Sequence, residues 1–385
     1  MNTQTASHST LHLCLVCNTA WAIHTYRPGL LRGLLENGVR VTVIAPYDAT
    51  ADAMVALGAT YIDLPLASKS VNPLHDLRTL YTLWRIYRKL QPDLIFHYTI
   101  KPNIYGSLAA MLARVKSIAV TTGLGYVFIQ PSRAANVAKM LYKLAFRFPR
   151  EVWFLNSDDR TTFLSQNLLV HPERAVLLPG EGIDLEQFRL TSIPTGKRHF
   201  DFILIGRLLW DKGIGEYVKA ARRLKTRYPH ARFLLLGPVG IANPSAITRD
   251  ELNRWIQEGS IEWLGETDDV RNYIANADCV VLPSYREGMP RTLMEASAMG
   301  RPIIASRVPG CQDVVVDGTT GLLCEARDAD RLTEAMSRML EMTEEQRAKM
   351  GLSGRERMLA EFDERTVVAR YFATVKAQTG VTLSA

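Results

Sequence analysis

The feature that most constrains this chain is a repeated alternation of short apolar runs with longer amphipathic stretches. The runs "LHLCLVC", "RVTVIAP", "TYIDLP", "DLIFHYT", "SIAVTTG", "EVWFLN" and "AVLLPG" each precede a segment of helical composition. Continuous apolar runs of strand length, separated by helices, read as a parallel sheet covered on both faces. A polar interval, "LTSIPTGKRHF", interrupts the pattern at about residues 190 to 200. The alternation then restarts with "FDFILIGRL", "ARFLLLG", "IEWLGE", "CVVLPS", "PIIAS" and "GLLCE". The fold class expected is therefore α/β, with two doubly wound domains over residues 1–195 and 196–362. A helical C-terminal tail over 363–385 is expected to cross back toward the first domain. Two such sheets facing a central cleft would present the carboxyl ends of their strands to it, where open α/β sheets bind ligands.

A length of 385 residues suits two or three domains, and 47% hydrophobic with 22% charged residues is an ordinary soluble composition. The five cysteines are too few and scattered for a disulfide framework, which fits a reducing cytosol. Cys14 and Cys17 form a C-x-x-C inside an apolar run, and they read as buried small hydrophobes rather than a redox or metal pair. The amino terminus, "MNTQTASHST", lacks the basic and apolar regions of a signal peptide. No stretch holds about 18 uninterrupted apolar residues, so no membrane span is expected.

Chemistry concentrates in "SYREGMPRTLMEA", Ser284 to Ala296, which follows the apolar run "CVVLPS" and leads into a helical segment. Pro290 suits a first helical turn, and the N–H groups of Arg291, Thr292 and Leu293 after it would form an anion site. Glu287 in the loop and Glu295 in the helix are placed to accept hydrogen bonds from two diols. A phosphate site flanked by two carboxylates suggests a sugar nucleotide, Glu287 on the hexose and Glu295 on the ribose. The plainer alternative is an Arg291–Glu295 pair at i, i+4 and a solvated Glu287.

A second constellation, "ILIGRLLWDKGIGEY", puts Gly206, Arg207 and Lys212 at the end of the first strand of the second domain. Fixed cations there would neutralise a departing diphosphate without a metal. No His or Cys cluster suggests metal ligands, and the D-x-D at Asp328 and Asp330 reads as a helix cap. A nicotinamide enzyme fits poorly, because the turn "CLVCNTAWAI" after the first strand contains no glycine. In the first domain, "DLIFHYTIKPNIYG" ends a strand at His97 and continues through Lys101 and Asn103. His97 is read either as a hydrogen-bonding partner of a sugar or as a structural histidine.

From Leu94 to Arg150 there are eight Lys or Arg and no Asp or Glu, against a net charge of +7 for the whole chain. Lys139, Lys143 and Arg147 recur every four residues, with Tyr142, Phe146 and Phe148 nearby, as a basic stripe for an anionic membrane surface. A merely solvated helix face is the plainer alternative, and nucleic acid ranks below both.

With "GRLLWDKGIGEY", "LPSYREGMPRTLMEASAMGRPIIAS" and "VPGCQDVVVDGTTGLLCEARDADRL" in view, the chain resembles glycosyltransferase family 4, of the GT-B fold, over residues 11 to 375. "SKSVNPLHDL", "TTGLGYVFI" and "GPVGIANPSAI" look like the branch that elongates undecaprenyl diphosphate-linked sugars in capsule, exopolysaccharide, O-antigen and N-glycan assembly. The resemblance implies metal-independent, anomer-retaining transfer of a hexose or N-acetylhexosamine from a UDP-sugar, with no cofactor. It implies a peripheral enzyme on the cytoplasmic face of the inner membrane. It puts Arg207 and Lys212 on the diphosphate, Glu287 on the hexose and Glu295 on the ribose, and the reading of the first domain adds His97 to the expected catalytic set. Gly206, Gly237, Gly265, Gly288, Met289, Pro290, Arg291, Thr292 and Leu293 complete the expected donor site. Thr19, Trp21, Lys101, Asn103, Gly125 and Tyr126 are the expected acceptor contacts. The alternatives are a nucleotide-sugar epimerase or hydrolase of the same architecture and a non-catalytic sugar-nucleotide binder.

Overall fold

A computed structural model of the chain describes residues 10–66, 72–124, 133–193 and 196–384. It divides into two compact units, Met1–Glu181 with Glu364–Ala385, and Gly182–Asp363.

The first unit runs β1 (His12–Val16), α1 (Ala20–Tyr26), α2 (Pro28–Glu36), β2 (Arg40–Ala45), α3 (Thr50–Ala56), β3 (Thr60–Asp63), α4 (Pro73–Leu90) and β4 (Leu94–Tyr98). A π-helical turn (Pro102–Gly106) then leads into α5 (Ser107–Ala113), followed by β5 (Ser117–Thr121), α6 (Arg133–Ala145), β6 (Glu151–Phe154), α7 (Ser157–Ser165) and β7 (Ala175–Leu177). The second unit runs β8 (Phe200–Ile205), α8 (Ile214–Arg227), β9 (Ala231–Leu236), α9 (Arg249–Gln257), β10 (Glu262–Trp263), α10 (Arg271–Asn276), β11 (Cys279–Leu282), α11 (Arg291–Ala298), β12 (Ile303–Ser306), α12 (Cys311–Val314), β13 (Gly321–Cys324), α13 (Ala329–Glu341) and α14 (Glu344–Glu361). The last helix, α15 (Glu364–Thr379), returns to the first unit, where the Tyr371 ring packs on Phe96 and Trp153.

All pairings are parallel, in the orders β3-β2-β1-β4-β5-β6-β7 and β10-β9-β8-β11-β12-β13. The apolar runs read from the sequence are these strands. Their two faces explain the absence of polar alternation. In the second unit Phe202, Leu204, Phe233 and Leu235 meet α8 and α13 on one side. Ile203, Ile205, Leu234 and Leu236 meet α11 and Met358 on the other. Each sheet also has one place where the strand order reverses, at β1/β4 and at β8/β11. Helices leave on opposite faces there, which opens a crevice at the carboxyl ends of the two strands.

The second unit begins at Gly182, ahead of the polar interval, so residues 183–193 belong to it. Ile183, Leu185 and Phe188 are buried in its core. The buried guanidinium of Arg301 donates to the carbonyls of Thr191, Ser192, Ile274 and Ala275. Asp328 caps α13, accepting from the N–H groups of Asp330 and Arg331.

Candidate active site

The site residues of the second unit gather at its switch point, on the loops after β8 and β11. After β8 the chain makes a 3₁₀ turn (Trp210–Lys212) and passes through Gly213 at φ +72° before entering α8. A Cβ at Gly213 would lie 2.0 Å from the carbonyl oxygen of Pro283, so the two loops approach as closely as backbone allows. The carbonyl of Asp211 accepts from the Tyr285 N–H at 2.9 Å and from the Ser284 hydroxyl at 3.2 Å. That seam brings Lys212 against Glu287 in an ion pair, with both side chains mostly buried. Arg207 stands exposed on the same β8 loop. Behind the pair, the Tyr285 hydroxyl donates to Glu216 in the first turn of α8, at 2.9 Å.

Gly206 and Gly237 stack where β8 and β9 end. Gly237 has φ +144°, a Cβ there would lie 2.0 Å from the Gly206 carbonyl oxygen, and its N–H donates to Gly265 at 2.8 Å. Gly206, Gly237 and Gly265 therefore line one narrow edge of backbone, and the Trp263 indole N–H donates to the Gly237 carbonyl there at 3.0 Å. From the other side the loop at Gly310 presses on the carbonyls of Glu287 and Gly288.

The start of α11 differs from expectation in two respects. Pro290, with φ −76° and ψ 103°, is the capping residue, one position ahead of the first helical residue, Arg291. The Leu293 N–H is spent on the Pro290 carbonyl at 3.1 Å, so Leu293 is not a donor to an anion. Thr292 rests its hydroxyl against the Ile205 carbonyl at 3.5 Å, joining the helix start to the end of β8, and Met289 packs on the core beneath. Glu295 is buried and accepts from Arg291 Nε at 2.9 Å, the i, i+4 pair named as the plainer alternative. Burial raises its carboxyl pKa above the ordinary value, and the Arg291 charge opposes that shift.

The first unit places its expected residues otherwise. His97 is fully buried, with Nε2 3.0 Å from the Tyr87 hydroxyl and its ring against Gly106, and burial lowers its pKa to about 3. Lys101 is tied to Asp76 at 2.7 Å. Asn103 is buried and donates to the Val120 carbonyl at 2.9 Å. Both contacts help to pack the π-helical turn. Thr19 caps α1 by accepting from the Ala22 N–H at 3.2 Å. Trp21 is exposed, with its N–H held by Asp48 at 2.9 Å. Gly125 and Tyr126 lie outside the described residues.

The basic stripe also changes. Lys143 is exposed on α6, Lys139 is half-buried, and Arg147 lies past the end of the helix. Tyr142 and Phe146 are buried against Phe163 in the core, not beside the stripe. No helix among the described residues is long and apolar enough to cross a membrane.

Sequence reading missed the Asp211 carbonyl, Tyr285, Glu216 and Gly310 as parts of the site's frame. Only the glycines carried a signal, in "DKG" and "VPG", where a residue without Cβ follows a charged or turn-forming one.

Residues 199–342 match the family profile for glycosyl transferases group 1, and residues 12–156 match that for glycosyl transferase 4-like proteins. The N,N'-diacetylbacillosaminyl-diphospho-undecaprenol alpha-1,3-N-acetylgalactosaminyltransferase of Campylobacter jejuni is 29% identical over 366 residues, covering 91% of this chain and 94% of its own. The UDP-Gal:alpha-D-GlcNAc-diphosphoundecaprenol alpha-1,3-galactosyltransferase of Escherichia coli is 26% identical, covering 72% and 73%. Among solved structures, a glycosyltransferase from Rickettsia africae superposes with a TM-score of 0.78 at 16% identity, covering 96% of this chain and 99% of that one. Anabaena HepE in complex with UDP and glucose gives 0.77 at 18%, covering 94% and 99%. The two parallel sheets are thus those of the GT-B architecture, and the chain belongs to the glycosyltransferases, with a glycosyl transferase 4-like region followed by a group 1 region.

Proposed function

We propose that the protein transfers a hexose or N-acetylhexosamine from a UDP-sugar to an undecaprenyl diphosphate-linked sugar, with retention at the anomeric carbon, during surface polysaccharide or glycan assembly. The observation that carries this reading is the juxtaposition of Lys212 and Glu287 at the β8/β11 switch point. A cation and a carboxylate held together there suit the two ends of the bond that breaks. Lys212, with Arg207, takes the charge that develops on the leaving diphosphate. Glu287 accepts from hydroxyls of the transferred hexose, and Glu295, fixed by Arg291, accepts from the ribose. The glycine edge at Gly206, Gly237 and Gly265 leaves room for the nucleoside. A bound donor would exchange the single Lys212–Glu287 contact for one charged contact to each. Retention leaves the departing diphosphate itself able to take the acceptor's proton, so no side-chain base is required.

The lipid-linked acceptor rests on the Campylobacter and Escherichia relatives, both of which act on undecaprenol diphosphate-linked sugars by name. Such an acceptor brings the enzyme to the cytoplasmic face of the inner membrane as a peripheral protein, with Lys143 and Arg147 toward anionic headgroups. Arg207 and Lys212 stand in place of a metal in this reading, so turnover is expected to persist in excess chelator. A rate abolished by chelator and restored only by magnesium or manganese contradicts that point. The test of the whole is incubation with a panel of labelled nucleotide sugars, with and without undecaprenyl diphosphate-linked sugar. Label passing to lipid with the anomeric configuration of the donor supports the proposal. Epimer or free sugar as the only product, or binding alone, overturns it.

A further inference from the structure

The outer surface of the first unit carries two apolar ridges that its core does not use. On α4, Leu74, Leu77 and Tyr81 are 74%, 62% and 54% exposed. On α6, Val137, Met140 and Leu144 are 52%, 65% and 43% exposed. Both triads have the spacing i, i+3, i+7, which puts three side chains on one line along a helix. The inward faces are satisfied separately, α4 by Leu83 and Tyr87 and α6 by Tyr142 and Ala145, all buried. The outward triads are therefore surplus to folding. Single exposed leucines are commonplace, but six large apolar side chains in two matched lines are not.

Three further facts bring the ridges together. α4 and α6 both pack on the π-helical turn after β4, so they flank it on one face of the sheet. In a parallel sheet the helices following β3 and β5 both start at its carboxyl edge, and the triads occupy the first half of α4 and most of α6. The charges beside them are of one sign. Arg78, Arg85, Arg88 and Lys89 are exposed on α4, and Lys143 is exposed on α6 with Arg147 just after it. At 100° per residue, Arg78, Arg85, Arg88 and Lys89 share the outward arc with Leu74, Leu77 and Tyr81. The one acidic residue of α4, Asp76, is turned to Lys101 and Tyr105, at 2.7 Å from each, and α6 has none.

From this we infer that the outward faces of α4 and α6 form a two-helix membrane-insertion surface. Leu74, Leu77, Tyr81, Val137, Met140 and Leu144 enter the headgroup and acyl boundary of an anionic phospholipid leaflet, and the arginines and lysines lie at phosphate level. Apolar side chains flanked by basic ones, on helices too polar to span, is the chemistry of an interfacial helix. A nucleic acid would match the charge but leave the leucines unburied. The inference extends the proposed function, which brings the enzyme to a bilayer by charge alone. It adds an apolar component on both helices, one that salt does not screen.

The experiment uses the full chain and no sugar substrate, so its outcome is separate from that of the transfer assay. Binding to phosphatidylglycerol-rich vesicles is measured by sedimentation at low and high salt, for the parent, Leu74→Ser/Leu77→Ser, and Lys143→Ser. Both leucines are surface residues, so folding is retained and is checked by thermal unfolding. The leucine pair is expected to weaken partitioning by about a hundredfold, roughly tenfold per inserted side chain, at both salt concentrations. Lys143→Ser weakens it only at low salt. The five cysteines are buried, so Leu77→Cys and Met140→Cys can be labelled selectively with an environment-sensitive fluorophore. Both labels are expected to shift to the blue on vesicle addition, and a label at Leu57→Cys, exposed just past the end of α3, to stay unchanged. Equal partitioning of parent and leucine variant overturns the inference, as does the absence of a blue shift at Leu77 and Met140. A parent that dimerises without vesicles, and becomes monomeric in the leucine variant, assigns the ridge to a second copy of the chain and likewise overturns it.

Discussion

The carboxyl edges of the two sheets have the same topology and opposite contents. At the β8/β11 switch, Lys212 and Glu287 arrive from different loops and meet each other. At the β1/β4 switch, the polar residues His97, Lys101 and Asn103 each find a partner inside their own unit. The difference lies in what the backbone does. In the second unit Gly213 and Gly237 let loops touch at distances no other residue permits, so side chains at their shoulders are committed to one place. In the first, a π-helical turn covers the strand end and draws those polar side chains into its own packing. An edge whose loops are locked by glycine presents side chains, and an edge roofed by a helix absorbs them.

The largest effect is expected at Lys212. Lys212→Ala removes the cation that meets the leaving diphosphate and strands Glu287 beside the Asp211 seam. Loss of one such preorganised contact costs about 2.7–4 kcal/mol, or a fall in kcat on the order of 10²–10³. Thermal stability measured alongside should also fall, because Glu287 is left mostly buried without its cation, so kcat is compared on protein shown to be folded at the assay temperature. A variant that turns over like the parent would erase the contrast between the two edges.

Glu287→Gln comes next. It keeps shape and removes charge, so nucleotide binding by calorimetry should stay close to the parent while transfer falls by about 1.5–3 kcal/mol, the worth of a hydrogen bond to a charged group. Matched losses in nucleotide affinity and in rate would move Glu287 from the hexose to the nucleoside.

The same contrast explains how much could be read beforehand. The strand-and-helix alternation was legible throughout, because a parallel sheet buried on both faces leaves uninterrupted apolar runs such as "CVVL" and "FILI". The β8 and β11 loops were legible because glycine and proline at fixed offsets report backbone geometry directly. His97 was not. A histidine at a strand end looks the same whether it faces solvent or Tyr87, and the choice was made by a π-helical turn whose extra residue leaves no trace in composition. Glu295 was half legible. Its spacing from Arg291 allowed both a ribose contact and an internal pair, and one does not exclude the other. Residues 183–193 carry no mark assigning them to the second unit, since the Arg301 guanidinium that holds them lies more than a hundred residues away in sequence.

Acid should separate the edges more gently. His97 titrates near 6.5 in an unfolded chain and near 3 when folded, lowered by burial. Below about pH 6.5 the unfolded chain binds a proton that the folded one refuses, so stability falls as pH falls, by about 1.4 kcal/mol per unit until about pH 3. Urea unfolding of the parent and of His97→Gln across that range should show the variant with the shallower slope. The comparison is of slopes, because a buried substitution also shifts the absolute stability. Equal slopes would mean that His97 is solvated after all.

The smallest expected effect tests whether the roofed edge is only structural. Thr99 follows β4 at φ +69°, a conformation disfavoured for any L residue and more so for one branched at Cβ. Its carbonyl accepts the Asn103 N–H at 2.9 Å, so it starts the π-helical turn, while its buried hydroxyl has no protein partner. Thr99→Gly relieves about 1–2 kcal/mol of backbone strain and gives back about 0.5–1 kcal/mol of glycine's greater freedom in the unfolded chain. A net gain of about 0.5–1 kcal/mol in unfolding free energy should follow. Strain retained with an unpartnered hydroxyl at a switch point is the pattern of a residue kept for a ligand. The variant should therefore be more stable, bind nucleotide as the parent does, and show a raised KM for the lipid-linked acceptor. A gain in stability with every kinetic constant unchanged would leave the β1/β4 edge a purely structural feature, and the contrast between the two sheets complete.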